Sequence, residues 1–368
     1  MRLVLTSDVH LDRTFLWARP EVARRRRANI RTALARTVAL VDEVGADALL
    51  VAGDLYEDDQ VTPDTAAFLA RLFGECPVPV LLAPGNHDPV TRESLYATTR
   101  WAPNVHVFDR PTLVAWDGLG AGVRVWGAGH LTHAGTDGFV RAFRTDGGAD
   151  VHLGLFHGSE TSTIAREGED KDPHAPFTPA EVAASGLAHA FVGHFHTPHD
   201  GDWHTYPGNP DPLTFGESGE RAAVVVDVAP DGRVTRERRV VAASRVADVT
   251  IDVGGAGSAY DVLASVEAAL PAGAGEVRVT LTGDLAPDVD LDLADVTALS
   301  DGDREVVVRT RRLHVAHDLD ALAAEQTVRG QFVRDVRAAT DLDEDERQRV
   351  LTTGLRALAG RTDLEVVA

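Results

Sequence analysis

The sequence predicts an α/β protein whose larger part is built on a parallel β-sheet and is followed by a smaller α/β unit. Continuous apolar runs of strand length alternate with segments whose apolar residues recur every three or four positions, as in helices packed on a buried sheet. Several of the apolar runs end directly in an aspartate, an asparagine or a histidine. Ligands bind at the carboxyl ends of strands in open α/β sheets, so these run ends are the expected functional edge.

The first part of the chain reads as strand, helix, strand, helix, strand. The first helix is expected to begin near Pro20, to bury a face that includes Ile30 and Leu34, and to stop at Gly45. The second helix is expected to be capped by Thr62 and Pro63. This alternation predicts parallel strands joined by right-handed crossovers. The three strands are expected at Leu3 to Leu5, Ala48 to Ala52 and Val78 to Ala83.

Beyond Val105 the pattern changes to short strands separated by glycine-rich turns, which suits a second, mixed sheet stacked on the first. Pro230, Asp231 and Gly232 separate two further strands and predict a hairpin. The strands expected in this part are Thr112 to Ala115, Val123 to Trp126, Val151 to Phe156, Ala190 to Val192, Ala222 to Val228 and Val234 to Val241.

A new pattern begins near Arg245 and predicts a small α/β unit. Ser258 with Asp261 resembles a capping box for a helix that runs through Leu270. Two amphipathic helices are expected at the end, over Leu319 to Ala339 and Glu344 to Ala359. The expected domains are therefore 1–245, a capping domain at 246–317, and terminal helices at 318–368 that are candidates for docking a partner.

Composition favours an ordinary globular protein. The chain has 368 residues, 44% of them hydrophobic, and a formal net charge of −21. A negative surface repels nucleic acid in general, so any DNA contact needs a local basic patch or metal ions. The single cysteine, Cys76, is expected to be a core thiol in a reducing cytoplasm. We expect neither a signal peptide nor a membrane span.

Seven side chains at the ends of the expected strands can ligate metal. They offer carboxylate, amide and imidazole groups and no thiolate, a set that suits Mn²⁺, Fe or Zn²⁺. Seven ligands are too many for one tetrahedral zinc but fit two ions roughly 3.5 to 4 Å apart that share a carboxylate. We expect Asp54 as the bridge, Asp8, His10 and His196 on one ion, and Asn86, His157 and His194 on the other.

The turn that holds Asn86 continues with His87 and Asp88. Because His87 follows a ligand directly, it can stand over the site without coordinating, and we assign it the role of general acid or transition-state stabiliser. Asp88 is a candidate for orienting it, although an aspartate before Pro89 is also an ordinary turn residue. A lone histidine at a strand end is more often structural, but five such signals in this order argue against chance.

These residues resemble the five sequence blocks of the calcineurin-like metallophosphoesterases, over roughly the first 245 residues. Within that superfamily the chain looks like the SbcD and YhaO type of DNA repair exonuclease. Some relatives carry a histidine just after the second block, and this chain has Glu57 at that position. The matching blocks are Asp8-x-His10, Gly53-Asp54, Gly85-Asn86-His87-Asp88, His157-Gly158 and Gly193-His194-x-His196, with Tyr206 to Pro210 and Phe215 to Glu217 as subgroup features.

The resemblance implies a four-layer αββα catalytic domain, a small C-terminal α/β capping domain and Mn²⁺-dependent cleavage of DNA ends. It also implies a homodimer, a partner ATPase of the SMC-like SbcC type, seven metal ligands at the positions above, and His87 as the catalytic histidine. Two other readings stay open. One is a phosphoesterase for cyclic nucleotides or other small molecules on the same fold, and the other is a non-catalytic scaffold.

Overall fold

The computed structural model describes residues 1–120, 122–162, 173–273, 275–287, 289–302 and 304–360. The chain divides into two compact units, Met1–Val246 and Ala247–Ala368. No helix within the described residues is long and apolar enough to cross a bilayer.

The first unit carries twelve strands and four helices in the described residues. Pro20, Pro63 and Pro179 open three of the helices, where the missing backbone N–H is not needed. The strands and helices are β1 (Arg2–Thr6), α1 (Pro20–Glu43), β2 (Ala48–Val51), α2 (Pro63–Gly74), β3 (Val80–Leu82), α3 (Leu95–Thr98), β4 (Val105–Val107), β5 (Val114–Trp116), β6 (Val123–Gly127), β7 (Val151–His157), α4 (Pro179–Ser185), β8 (His189–Gly193), β9 (His199–Asp200), β10 (His204–Tyr206), β11 (Ala222–Val228) and β12 (Val234–Val240).

These strands form two six-stranded sheets, with orders β12-β11-β1-β2-β3-β4 and β5-β6-β7-β8-β10-β9. Strands β1 to β4 are parallel, and so are β6, β7 and β8, as the strand and helix alternation predicts. The predicted hairpin of β11 and β12 is confirmed, and β11 pairs antiparallel with β1.

Three apolar cores define four layers. One core lies between the two sheets and joins residues such as Leu5 and Leu50 to Leu153 and Phe191. A second core packs helices α1 and α2 on the outer face of the first sheet, and a third packs α4 on the outer face of the second. The α/β class and the αββα layering expected from the sequence are therefore confirmed.

The second unit has a three-stranded sheet in the order β13-β14-β15. Two apolar cores lie in this unit, one around Val277 and Val279 of the sheet and one among the last helices around Leu351. Its elements are β13 (Val246–Asp252), α5 (Ala259–Ala269), β14 (Glu276–Leu285), α6 (Leu293–Thr297), β15 (Glu305–Val315), α7 (Leu319–Ala324), α8 (Val328–Ala338) and α9 (Glu344–Leu358).

The terminal region departs from the sequence prediction at one point. The single helix expected over Leu319 to Ala339 is two helices, α7 and α8. Thr327 interrupts it because its hydroxyl accepts a hydrogen bond from the Gly330 backbone N–H at 3.1 Å and so caps a new helix. The predicted terminal segment 318–368 belongs to the same unit as the capping sheet, and its residues 361–368 lie outside the described part of the chain.

Candidate metal centre

The seven predicted ligands meet at the edge where the carboxyl ends of both sheets lie. Asp8 and His10 follow β1, Asp54 follows β2, and Asn86 follows β3. From the second sheet, His157 ends β7, and His194 and His196 follow β8. Five of the seven are buried and the two after β8 are half-buried. The seven predicted ligands therefore lie at one edge, although they are spread between positions 8 and 196 of the sequence.

The backbone at this edge is strained. Asp8, His10 and Asp54 have φ angles of 53°, 51° and 51°, and His194 has a φ of 118°. Residues with side chains adopt such angles at a cost, and positions of this kind cluster at functional sites. Hydrogen bonds between loops hold the conformation, since the N–H groups of Asp8 and His10 donate to the carbonyls of Gly53 and Asp54, each at 3.0 Å.

Glycine permits the two sheets to approach this closely. A side chain at Gly193 would overlap the carbonyl oxygen of Ala52 and lie 2.8 Å from Nδ1 of His157. Gly193 thus brings the end of β8 against the end of β2, and with it His194 against Asp8, whose carboxylate accepts from the His194 N–H at 3.0 Å.

Asp8, His10 and His196 form the first ligand cluster, with one ligand atom from each within 4.8 Å of the others. Nε2 of His10 lies 3.2 Å from Nε2 of His196. Two ring nitrogens at this distance need a proton or a cation between them, because two lone pairs would otherwise face each other.

Asp54, His157 and His194 form the second cluster. Nε2 of His157 lies 3.3 Å from Nδ1 of His194 and 3.1 Å from the Asn86 side-chain oxygen. Oδ2 of Asp54 is 3.3 Å from this Nε2 and 3.7 Å from Nε2 of His10. Asp54 therefore lies between the two clusters, at the position that a bridging carboxylate requires.

The protonation of the ligand groups differs from one to the next. Burial lowers the pKa of His10, and burial together with His157 lowers the pKa of His194 to about 2, so these two rings are neutral as metal ligands must be. Burial alone would lower the pKa of His157 and of His196, but Asp54 raises the first to about 9 and Glu217 raises the second, so a metal ion would displace a proton from His157. Burial alone would raise the pKa of Asp54, but His157, His10 and His87 hold it well below its usual range, as suits an anionic bridge between two divalent ions.

His87 lies beside the first cluster without belonging to the predicted ligand set. Its ring centre is 4.8 Å from that of His10, and its side chain is 42% exposed, which leaves the ring accessible. Its Nδ1 lies 2.8 Å from Oε2 of Glu57, and this hydrogen bond raises the pKa of His87. His87 is therefore held in an orientation and a charge state that suit a proton donor.

Glu57 is a site residue that the sequence analysis passed over, apart from its difference from relatives. Oε1 of Glu57 also lies 3.0 Å from Nδ1 of His10, and it accepts from the Arg13 guanidinium at 3.1 Å. One carboxylate thus holds a predicted ligand and the predicted catalytic histidine. Its position three residues after Asp54 is the only sequence signal for this role, and that signal is weak without the fold.

Asp88 does not have the expected contact with His87. Its carboxylate accepts from the N–H groups of Gly85, Asp54 and Leu55, at 2.6 to 3.1 Å, and from the Tyr96 hydroxyl at 2.6 Å. Burial and the nearby Asp54 raise the pKa of Asp88 to about 7. The described hydrogen bonds give the orienting role to Glu57, and Asp88 instead ties the β2 and β3 loops together.

Two more histidines, His130 and His133, support the ligands from behind. His130 donates from Nε2 to the carbonyl of His157 at 2.8 Å, and His133 donates from Nδ1 to the carbonyl of Asn86 at 2.8 Å. The sequence analysis did not single out either of them, since neither ends an expected strand.

Comparison with known proteins gives the family. The profile of the calcineurin-like phosphoesterases matches residues 1–198, more than half of the chain. The uncharacterized metallophosphoesterase YhaO of Bacillus subtilis is 26% identical over 62% of this chain and 57% of its own length. The DNA double-strand break repair proteins Mre11 of Methanopyrus kandleri and Haloferax volcanii are 28% and 27% identical, over 61% and 95% of this chain and 52% and 81% of their own lengths.

The chain thus spans little more than half the length of two of these relatives. Among solved structures, TT1561 of Thermus thermophilus aligns with a TM-score of 0.41 at 16% identity, over 65% of this chain and 98% of its own. A dimetal phosphatase from Danio rerio aligns with a TM-score of 0.39 at 12% identity, over 66% and 96%. With the family profile matched across the strands that carry all seven predicted ligands, the chain belongs to the calcineurin-like phosphoesterase family of metal-dependent phosphoesterases.

Proposed function

We propose that this protein is a two-metal phosphodiesterase that cleaves DNA at or near its ends. The observation that carries the proposal is the placement of His87, held by Glu57, beside two ligand clusters with the Asp54 carboxylate between them. The relatives named Mre11 are DNA double-strand break repair proteins, and they supply the DNA part of the proposal.

In the proposed reaction, Asp8, His10 and His196 would hold one ion and Asn86, His157 and His194 would hold the other, with Asp54 available to both. Mn²⁺ is the proposed ion, with Fe or Zn²⁺ as alternatives that the same ligands accept. Two such ions supply Lewis acidity toward a phosphodiester and an acidified water as nucleophile.

The chain's own residues perform the remaining steps. Glu57 accepts the proton of Nδ1 of His87, which leaves Nε2 as the nitrogen that donates a proton to the departing alkoxide. The raised pKa of His87 keeps this proton available near neutral pH. Asp54, anionic and buried, sets the separation of the two clusters.

The proposal extends to partners and location. By resemblance to the SbcD and YhaO type, the protein acts as a homodimer with an SMC-like ATPase of the SbcC kind, in the cytoplasm. Its capping region, 246–317, and its terminal helices, 318–368, are the proposed substrate-covering and partner-docking parts. Cys76, buried and free, fits a reducing compartment.

A second candidate is a phosphoesterase for small molecules such as cyclic nucleotides. The net charge of −21 favours it, because a strongly acidic protein repels a DNA polyanion at long range and a small phosphodiester much less. The non-catalytic scaffold has no such support, since all seven predicted ligand positions carry side chains that can bind metal.

The test compares rates on end-labelled duplex DNA and on a cyclic nucleotide, with Mn²⁺ present, for wild type, His87→Ala and His199→Ala. His199 is a half-buried histidine that begins β9 and serves as the matched control. We expect wild type and His199→Ala to shorten DNA and His87→Ala to lose about 10²- to 10⁴-fold in rate. Turnover of the cyclic nucleotide alone would replace DNA by the small substrate, and unchanged activity in His87→Ala would refute the assigned role.

A further inference from the structure

The segment after β10, from Pro207 to Arg221, contains none of the proposed metal ligands, yet it contacts one of them directly. Oε1 of Glu217 lies 2.8 Å from Nδ1 of His196. Glu217 is 9% exposed, so this carboxylate sits behind the ligand and away from solvent.

Glu217 is itself fixed at its second oxygen. Oε2 accepts from the Asn209 side-chain amide and from the Leu213 N–H, each at 2.6 Å. Neither donor is exposed, since Asn209 and Leu213 have relative exposures of 0% and 1%. The Glu217 carboxylate therefore has little freedom to rotate away from His196.

Arg221 closes the same network. Its guanidinium donates to the Asn209 side-chain oxygen at 2.8 Å, to the His196 carbonyl at 2.7 Å and to the Glu217 carbonyl at 3.1 Å. Arg221 is 5% exposed. It thus holds both the backbone of the ligand and the two residues behind it.

The contact has a chemical consequence for His196. An anionic carboxylate can only accept a hydrogen bond. Nδ1 of His196 therefore carries the hydrogen, and Nε2 of the neutral ring keeps its lone pair. That Nε2 is the nitrogen that lies 3.2 Å from Nε2 of His10 within the first cluster. Carboxylate partners of this kind orient a ligating histidine and make it more basic.

The second cluster is built differently. Nδ1 of His157 donates to the backbone carbonyl of Ala52 at 2.9 Å, so a neutral group replaces the carboxylate there. A change at Glu217 should therefore affect the first cluster and leave the second unaffected.

We propose that Glu217, held by Asn209 and Arg221, is a positioning residue that fixes His196 and sets the metal affinity of the Asp8, His10 and His196 cluster. The inference rests on the two-metal site of the proposed function and is independent of its substrate. It gives the segment from Pro207 to Arg221 a role in metal binding.

The test measures Mn²⁺ binding to the full-length, metal-free protein by isothermal titration calorimetry, for wild type, Glu217→Gln and Glu220→Gln. Glu220 is a 68% exposed glutamate that pairs with Arg245 at 3.4 Å, so its variant removes the same charge outside the network. We expect two Mn²⁺ per wild-type chain, and a roughly 10- to 100-fold loss of affinity at one of them in Glu217→Gln only.

Thermal unfolding of the metal-free proteins distinguishes a loss of His196 positioning from a general loss of folding. If Glu217→Gln does not fold, Glu217→Asp retains the charge with a shorter reach and is expected to show the same selective loss. Wild-type affinity at both ions in a folded Glu217 variant would overturn the proposal, as would equal losses in Glu217→Gln and Glu220→Gln. Because the readout is metal binding, a protein that binds two ions but leaves DNA intact would refute the proposed substrate alone.

Discussion

At the scale of the residue, the carboxylate of Glu57 contacts two imidazoles of this site. Its two oxygens lie 3.0 Å from Nδ1 of His10 and 2.8 Å from Nδ1 of His87. A neutral side chain at this position could not present a negative charge to both rings. Glu57 thus links a predicted ligand to the predicted catalytic histidine.

Glu57→Gln is expected to lower kcat/KM by about 10- to 100-fold, because the neutral amide no longer raises the pKa of His87 or orients His10 as firmly. The measurement is steady-state kinetics on duplex DNA or the cyclic nucleotide, whichever the wild type hydrolyses. The exposed Glu93→Gln is the charge-matched control. Equal kinetics of Glu57→Gln and wild type would mean that His87 is held by other contacts.

The seven predicted ligands could be named from the sequence because each follows an apolar run, and a strand end can be recognised without the fold. That all seven bind metal stays a prediction. Glu57 and Glu217 could not be found in this way. Each contacts a histidine that is distant in sequence, for example 47 residues away for Glu57 and His10. The local sequence pattern does not predict such a contact. The described hydrogen bonds of Asp88 go to the β2 and β3 loops and to Tyr96 and not to His87, because residues adjacent in sequence need not have adjacent side chains.

At the scale of the element, the metal centre depends on two strand ends that approach without side chains between them. Gly193 ends β8 against the carbonyl of Ala52 after β2. The nine strands expected in the first unit were predictable from their apolar runs, with ends that differ by at most two residues, as with β3 at Val80–Leu82. The short strands β4, β9 and β10 were not among those expected. The break between α7 and α8 could not be predicted, because the sequence around a capping threonine within an amphipathic pattern resembles that of a helix interior.

Gly193→Ala is expected to force the two strand ends apart, because the added methyl overlaps the Ala52 oxygen and crowds His157. Overpacking of this kind costs about 1–3 kcal/mol of unfolding free energy. Chemical denaturation of the metal-free protein checks the stability, and Mn²⁺ titration is expected to show weakened binding. Gly135→Ala is the control, since its new methyl would meet only the Pro173 carbonyl oxygen at 3.8 Å.

At the scale of the whole molecule, the chain is two units with separate apolar cores. Among the residues that the structure describes, three cores lie in Met1–Val246 and two in Ala247–Ala368. All seven predicted ligands, His87, Glu57 and Glu217 belong to the first unit. The boundary was expected near Arg245 from a change in the strand and helix pattern. The number of cores could be seen only from the side-chain packing in the structure.

A chain ending at Val246 is therefore expected to fold and to bind two Mn²⁺ with affinities close to those of the full-length protein. Calorimetric titration and thermal unfolding of this fragment check the expectation. If the second unit covers the substrate, the fragment also loses preference for DNA ends while it retains hydrolysis of an unspecific phosphodiester. Failure of the fragment to fold would show that the first unit depends on the second.

The joining of Asp8 to the His194 N–H has a consequence for how the protein is made. The first cluster takes ligands from the eighth and the one hundred and ninety-sixth residue, and β1 pairs with β11, which ends at Val228. Asp8 and His10 therefore lack the third member of their cluster until the chain has been made as far as His196. Topologies rich in contacts this distant in sequence fold slowly. The first cluster exists only after the strand ends of both sheets have met, so metal binding there depends on that folding step.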